Sequence, residues 1–231
     1  MARTALVTGS ARGIGAAICR ALKREGMAVI GTDVIDHEHE NVDRVIEADL
    51  SDPAECERLI TEAGPVDVLV NNAAIFFHKP IPEFTVEDFD YTIAVNLRAN
   101  FLLCQGLVEG MVERGWGRII NISSVGARTG GVSDSAVYNA TKAALISLAK
   151  NFARNYGKHG VTANAVAPGF VDSFMTSHVP EEDRALYLSQ IPVRRSSQPE
   201  EVADVVAFLA GDGASFVTGA TIDINGGWVM T

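Results

Sequence analysis

The sequence predicts an α/β fold, a doubly wound parallel sheet of about seven strands forming a single domain over residues 1–231. Three observations predict it. Short apolar segments alternate with longer amphipathic ones from one end of the chain to the other. The short segments are rich in Val, Ile and Leu, as suits strands covered on both faces by helices. No Pro/Gly/Ser-rich linker, internal repeat or low-complexity stretch divides the chain.

Taken in order, strands are expected at 4–8, 27–33, 44–48, 66–70, 118–122, 161–166 and 220–224. The helix after the first strand presents Ile14, Ile18, Ala21 and Leu22 on one face. The connection from Asp33 to the third strand is too short for a helix of the usual length. A long helix is expected over 136–156, where Leu145, Leu148, Ala149, Phe152, Ala153 and Tyr156 recur at helical spacing and Gly157 and Gly160 mark the stop. A last helix begins at Ser197, whose spacing to Glu200 matches a capping box, with Pro199 in its first turn and Val202, Val205, Val206 and Leu209 on one face. Residues 71–84, 123–135 and 169–197 are long connections that follow strands, and open parallel sheets bind ligands beyond those strand ends.

Composition narrows the function classes. Apolar residues make up 47% of the chain, but no uninterrupted run approaches the about 18 residues of a membrane span. The N-terminal apolar stretch is too short for a signal-peptide core, so a cytoplasmic protein is expected. The formal charge of −10 works against binding to nucleic acid or an anionic membrane. Cys19, Cys56 and Cys104 are odd in number and widely spaced, which suits reduced, buried thiols, and no residue pattern marks a metal site.

Directly after the first strand comes Thr8-Gly9-Ser10-Ala11-Arg12-Gly13-Ile14-Gly15, opening a helix. Glycines let the backbone turn sharply and approach a pyrophosphate, while the helix N-terminus offers unpaired N–H groups and the positive dipole end. Asp33 ends the second strand 18 residues after Gly15, where a carboxylate would grip a ribose 2′-hydroxyl. Dinucleotide binding is the expectation.

This T-G-x-x-x-G-x-G spacing resembles that of the short-chain dehydrogenase/reductase family, whose fold is the Rossmann type. The resemblance extends over essentially the whole chain, through Asp49-Leu50, Asn71-Asn72-Ala73-Ala74, Asn96, Asn121-Ile122-Ser123-Ser124, Tyr138-Asn139-Ala140-Thr141-Lys142 and Pro168-Gly169. It implies that Asp49 and Leu50 flank the adenine, that Asn72 and Ala73 line the ribose, and that Val171 meets the nicotinamide carboxamide. Gly9, Arg12, Gly13, Ile14, Gly15, Asp33, Pro168, Gly169 and Ser173 complete the expected cofactor set, together with Tyr138 and Lys142. On the residues alone, Asp49 also fits a helix-capping role and the asparagine pair also fits loop turn chemistry.

Hydride transfer to a ketone generates an alkoxide that must be protonated, and oxidation of an alcohol requires the reverse. Tyr138 and Lys142 stand four apart on the long helix, hence on one face, where a cation is expected to lower the phenol's pKa. The resemblance implies that Tyr138 is the acid/base, that Ser124 polarises the substrate oxygen, that Lys142 also holds the nicotinamide ribose, and that Asn96 anchors a water linking Lys142 to solvent. Asn96, embedded among Ile93, Val95, Leu97 and Phe101, equally fits a buried asparagine that stabilises its own loop.

The chain departs from the family pattern in places. Ser124 precedes Tyr138 by 14 residues, about one more than usual, which leaves Ser123 as an alternative. Ala74 stands where glycine is common and Ser173 where threonine is. The short link after Asp33 resembles a subset that includes 2,3-dihydro-2,3-dihydroxybenzoate dehydrogenases.

The expected function is therefore hydride transfer between a nicotinamide cofactor and a small-molecule secondary alcohol or ketone. NAD is expected over NADP because Asp33 would repel a 2′-phosphate, although Arg12 could reach that phosphate or pair with Asp33. An NADPH-dependent 3-oxoacyl carrier-protein reductase is the alternative, and a non-enzymatic dinucleotide-binding regulator is the reading from another class. Phe76, Phe77, His78, Val125, Arg128, Phe174, Met175 and His178 lie on the loops expected to form the substrate pocket. The resemblance also implies a homotetramer or homodimer pairing helices near 86–114 and 136–156, where Ala136, Ala140, Ala143, Ala144 and Ser147 permit close packing.

Overall fold

The structure, a computed structural model, describes residues 2–35, 37, 40–131 and 135–230. Its elements are β1 (Thr4–Thr8), α1 (Gly13–Arg24), β2 (Ala28–Asp33), β3 (Arg44–Glu47), α2 (Pro53–Ala63), β4 (Val68–Asn71), α3 (Val86–Ile93), α4 (Ala99–Glu113), β5 (Gly117–Ile122), the short α5 (Gly126–Thr129), α6 (Ala136–Tyr156), β6 (Val161–Pro168), α7 (Glu181–Gln190), α8 (Pro199–Ala210) and β7 (Thr221–Ile224). The seven strands form one parallel sheet in the order β3-β2-β1-β4-β5-β6-β7. Strand order reverses between β1 and β4, so the crevice for a ligand opens beyond their carboxyl ends.

Two apolar layers hold the sheet. On one face Ile18 and Leu22 of α1 meet Val202, Val206 and Leu209 of α8 over Val7, Val29 and Val70. On the other, Leu59 of α2, Leu103 and Leu107 of α4 and Phe152 of α6 pack on Leu6, Leu69 and Ile119. The central strands thus bury both faces, which explains their near-continuous apolar pattern, while the edge strands β3 and β7 stay partly exposed. Among the described residues no helix is long and apolar enough to cross a membrane, and no group of three or more His, Cys, Asp or Glu side chains could hold a metal ion. All three cysteines are free and buried, as expected.

Two boundaries differ for a physical reason. β4 starts at Val68 rather than Val66 because the Asp67 carboxylate accepts from Thr4 N at 2.9 Å and from Arg114 Nε at 2.9 Å. The cap of α8 is Gln198, paired with Glu201, one residue beyond the expected Ser197–Glu200 box. Ser197 instead pairs its backbone with the segment after β6, donating to Phe170 O at 2.9 Å and accepting from Asp172 N at 2.8 Å.

Helix α3 runs into α4 through a π-helical turn, Ala94–Arg98, that nothing in the local pattern announces. Such turns are rare and concentrate at functional sites. Here it carries Asn96.

Candidate active site

The glycine turn between β1 and α1 is shaped by sterics. Gly9 and Gly13 adopt left-handed φ values of 65° and 57°. At Gly15 a Cβ would stand 1.9 Å from the Gly9 carbonyl oxygen and 2.7 Å from Asn72 Nδ2, so no side chain fits. Arg12, the N-cap of α1, forms no side-chain capping bond, and the first turn holds no acidic residue. The helix therefore directs uncapped N–H groups and its positive end into the cleft, as a pyrophosphate requires.

Neighbouring elements lock this turn. The Thr8 hydroxyl accepts from Asn72 N and Ala73 N, each at 2.9 Å, and the Asn72 amide donates to Thr8 O at 2.9 Å and Gly9 O at 3.1 Å. Asn72 thus performs the turn chemistry that its residue type suggested while also lining the cleft. Asp33 holds the turn from the other side: its carboxylate accepts from Ala11 N at 3.1 Å and Ile35 N at 3.3 Å. Arg12 does not pair with Asp33. Its guanidinium stacks 3.7 Å over the Phe174 ring, joining the glycine turn to the segment after β6.

All the residues expected to bind the cofactor border one cleft of about 350 Å³. Gly9, Arg12, Gly13, Ile14, Gly15 and Asp33 form one end with Asp49 and Leu50, while Pro168, Gly169, Val171 and Ser173 form the other with Tyr138 and Lys142. Asp49 is not the cap of α2, a role taken by Asp52, which accepts from Ala54 N at 2.9 Å. Gly169 has no room for a side chain either, since a Cβ would lie 2.8 Å from Asn225 Cα.

Tyr138 and Lys142 sit on one face of α6, with Lys142 Nζ 5.5 Å from the Tyr138 ring centre. Lys142 is 2% exposed and donates to Ile122 O at 2.7 Å. Burial pulls its pKa down to about 7 and pushes the Tyr138 phenol up to about 12, with a hydrogen bond from Ser124 opposing the latter. The expected lowering of Tyr138 by Lys142 is therefore not present in the protein chain alone: desolvation is the larger cause, and only the Ser124 hydrogen bond opposes it.

The two serines after β5 divide their work. Ser123 is buried and donates to Lys142 O at 2.7 Å, so its hydroxyl is committed to the scaffold. Ser124 accepts from Gly126 N at 3.1 Å, which leaves its proton to face the cleft beside Tyr138. The extra residue before Tyr138 falls in a loop held by Asn139, which donates to Gly130 O and Ser135 Oγ, both at 2.8 Å. Residues 132–134 of that loop lie outside the described residues.

Asn96 is fully buried, and its side chain spans the π turn and the loop after β4. It accepts from Ile75 N and donates to Ile75 O, both at 2.9 Å, with a longer donation to Thr141 Oγ1 at 3.4 Å. The side chain thus holds its neighbouring loop, the second of the two roles its setting suggested.

A second cavity of about 680 Å³ shares Ser124, Tyr138, Gly169 and Phe174 with the cleft. Phe76, Phe77, His78, Val125, Met175 and His178 line it as expected. Phe76 packs edge-on against Tyr138 at 5.1 Å, and Phe174 edge-on against His178 at 5.2 Å. Arg128 does not belong to it. Its guanidinium pairs with Asp223 of β7 at 3.2 Å. The expectation had missed Tyr187 and Trp228, which come from distant elements and close the far wall. It had also given no role to Thr8 or Asn139, although both belong to the motifs that carried the resemblance.

A glycine turn at the sheet's switch point, with a Ser, Tyr and Lys group at its other end, defines a nicotinamide-type oxidoreductase site, and the chain belongs to the short-chain dehydrogenase/reductase family. A family model described as enoyl-(acyl carrier protein) reductase matches residues 9–229. Among curated proteins, the chain is 39% identical to a 3-oxoacyl-[acyl-carrier-protein] reductase of Rickettsia conorii, over 99% of this chain and 97% of that protein. It is 42% identical to an acetoacetyl-CoA reductase of Rhizobium meliloti, over 98% of each. Among solved structures it resembles a 3-oxoacyl (acyl-carrier-protein) reductase from Agrobacterium tumefaciens with NADP bound, with a TM-score of 0.90, 33% identity and coverage of 97% of this chain and 93% of that one.

Proposed function

We propose that residues 1–231 act as one dinucleotide-binding and catalytic domain that transfers a hydride between a nicotinamide cofactor and a carbonyl or secondary alcohol, with Tyr138 carrying the proton. The observation that carries this reading is the position of Tyr138 and Ser124 on the wall shared by the cleft and the aromatic cavity. The dinucleotide supplies or accepts the hydride when bound. Gly9, Gly13, Gly15 and the start of α1 receive its pyrophosphate, Asp33 its adenosine ribose, and Lys142 its other ribose.

Proton handling follows from burial. With its pKa near about 12, the Tyr138 phenol keeps its proton at neutral pH. It can therefore donate to an alkoxide, which is far more basic than a phenolate, and the site is poised for carbonyl reduction. Ser124 turns its hydroxyl from Tyr138 to the same substrate oxygen and holds it beside the phenol. Running the reaction as an oxidation requires more positive charge near Tyr138 than the chain itself provides. Asn96 acts by holding the loop at Ile75.

For substrate and cofactor the relatives support NADPH-dependent 3-oxoacyl reduction more strongly than an NAD-linked alcohol dehydrogenase, since two of them are named for 3-oxoacyl carrier-protein reduction and one of those holds NADP. Asp33 pulls the other way. A carboxylate at the end of β2 faces a 2′-phosphate with like charge, and Arg12 leans on Phe174 instead of on Asp33. We therefore retain NAD as the preferred cofactor. The exposed Ala136, Ala140, Ala143 and Ser147 on α6 support a dimer or tetramer, which solution mass at micromolar concentration tests.

The deciding experiment incubates purified protein with NADH or NADPH and a panel of 3-oxoacyl thioesters and simple ketones, following nicotinamide absorbance. Thioester turnover is expected to exceed ketone turnover. Binding of dinucleotide without turnover of any substrate would favour the regulator.

A further inference from the structure

We infer that His37 is a positioning residue for the adenosine half of the dinucleotide, an inference that rests on the cofactor reading above. Among its described residues the short connection from β2 to β3 has no helix, so other contacts must hold it against the glycine turn. His37 supplies one. Its Nε2 lies 3.0 Å from Ser10 Oγ and its Nδ1 lies 2.9 Å from Ile35 O.

A carbonyl only accepts, so Nδ1 carries a proton and donates to Ile35 O. In the neutral ring Nε2 then accepts from the Ser10 hydroxyl. In the protonated ring Nε2 donates to Ser10 Oγ, and the hydroxyl turns to Thr32 O at 3.3 Å. The link survives either protonation state.

Ser10 is fully buried one residue after Gly9, in the turn that receives the pyrophosphate. Gly31 makes room for it, since a Cβ there would stand 2.5 Å from Ser10 Oγ. A glycine inside a strand marks such close approaches. Ile35, whose carbonyl His37 holds, lines the cofactor cleft beside Asp33 and donates its N–H to the Asp33 carboxylate at 3.3 Å. His37 therefore ties together the phosphate turn, the ribose-binding carboxylate and the exposed Val34–Ile35 edge. None of these contacts reaches Tyr138, so the effect belongs to the adenosine end.

The test compares wild type, His37→Ala, His37→Gln, Ser10→Ala and the Ser10→Ala/His37→Ala double variant. Calorimetry measures binding of NADH, of AMP and of reduced nicotinamide mononucleotide, alongside kcat, KM and thermal melting. His37→Ala is expected to weaken NADH and AMP by about tenfold, the scale of one lost hydrogen bond. Nicotinamide mononucleotide binding and kcat should stay within about twofold, His37→Gln should recover part of the loss, and the double variant should bind no worse than the weaker single one. The loss should persist across pH. Unchanged NADH affinity in His37→Ala, or an equal loss for the mononucleotide, overturns the inference. If His37→Ala melts early, Ser10→Ala and His37→Gln decide in the same way. Failure of wild type to bind any dinucleotide defeats the cofactor reading itself, a different result from selective failure of the variants.

Discussion

The cofactor cleft and the neighbouring aromatic cavity meet at Ser124 and Tyr138 but are made differently. The cleft is built from backbone, with left-handed glycines, a helix end and a Gly15 that admits no side chain. The cavity is built from side chains, many of them on loops, that lean on one another, as Phe76 does on Tyr138 of α6 and Phe174 on His178. Backbone geometry tolerates little change, whereas loop side chains exchange without moving the sheet. We propose on this ground that one region carries the reaction class and the other the choice of substrate.

The strongest way to break this division is at the shared wall. Tyr138→Phe should lower turnover at least about a hundredfold, the low end for general acid/base catalysis, with NADH affinity unchanged. Near wild-type turnover would remove Tyr138 from the chemistry. Next in size is Asp33→Ser within the cleft. We expect the parent protein to prefer NAD over NADP by about tenfold in kcat/KM and the variant to lose or invert that ratio, which corresponds to roughly 1.4 kcal/mol. Equal efficiency with both cofactors in the parent would make Arg12 the stronger influence.

A cavity substitution should act on substrate alone. Phe76→Leu keeps an apolar wall but removes the edge-on ring, and is expected to change KM for the carbonyl about threefold while KM for the dinucleotide stays put. A parallel change in both would show that the two regions are not separable.

The smallest effect is thermodynamic. Burial lowers Lys142 to about 7, so above that pH the folded protein has shed a proton that the unfolded chain retains. The unfolded state then binds more protons, and this group makes stability rise with pH from about 7 until the unfolded lysine itself titrates near about 10.4. Below pH 7 the same burial weighs against the fold. The melting temperature of wild type should therefore gain about 2 to 4 °C relative to Lys142→Met between pH 7 and 8, the response to about 1 kcal/mol in a chain this size. Parallel curves would mean that Lys142 stays charged when folded.

Much of this was legible in the chain itself. Strand periodicity located all seven strands to within a few residues, and most clearly the central ones, where burial on both faces imposes an apolar run. The glycine turn, Asp33 and the Tyr138–Lys142 spacing were legible because each requirement is local: a left-handed φ, a helix end, one helical turn. Arg128 was misplaced and Tyr187 and Trp228 were missed because side chains choose partners by position in space, and Asp223 and the cavity's far wall are remote in sequence.

By itself, then, the sequence determined the parallel α/β layering and the chemistry available at the strand ends, since both follow from periodicity and short-range spacing. Tertiary structure alone decided the π turn that aims Asn96 at Ile75, the commitment of Ser123 to the scaffold, the Arg12 stack on Phe174 and the raised phenol of Tyr138. Each depends on how much water and which distant groups surround a side chain. Neither desolvation nor contact across the sheet is written in the spacing of neighbouring residues.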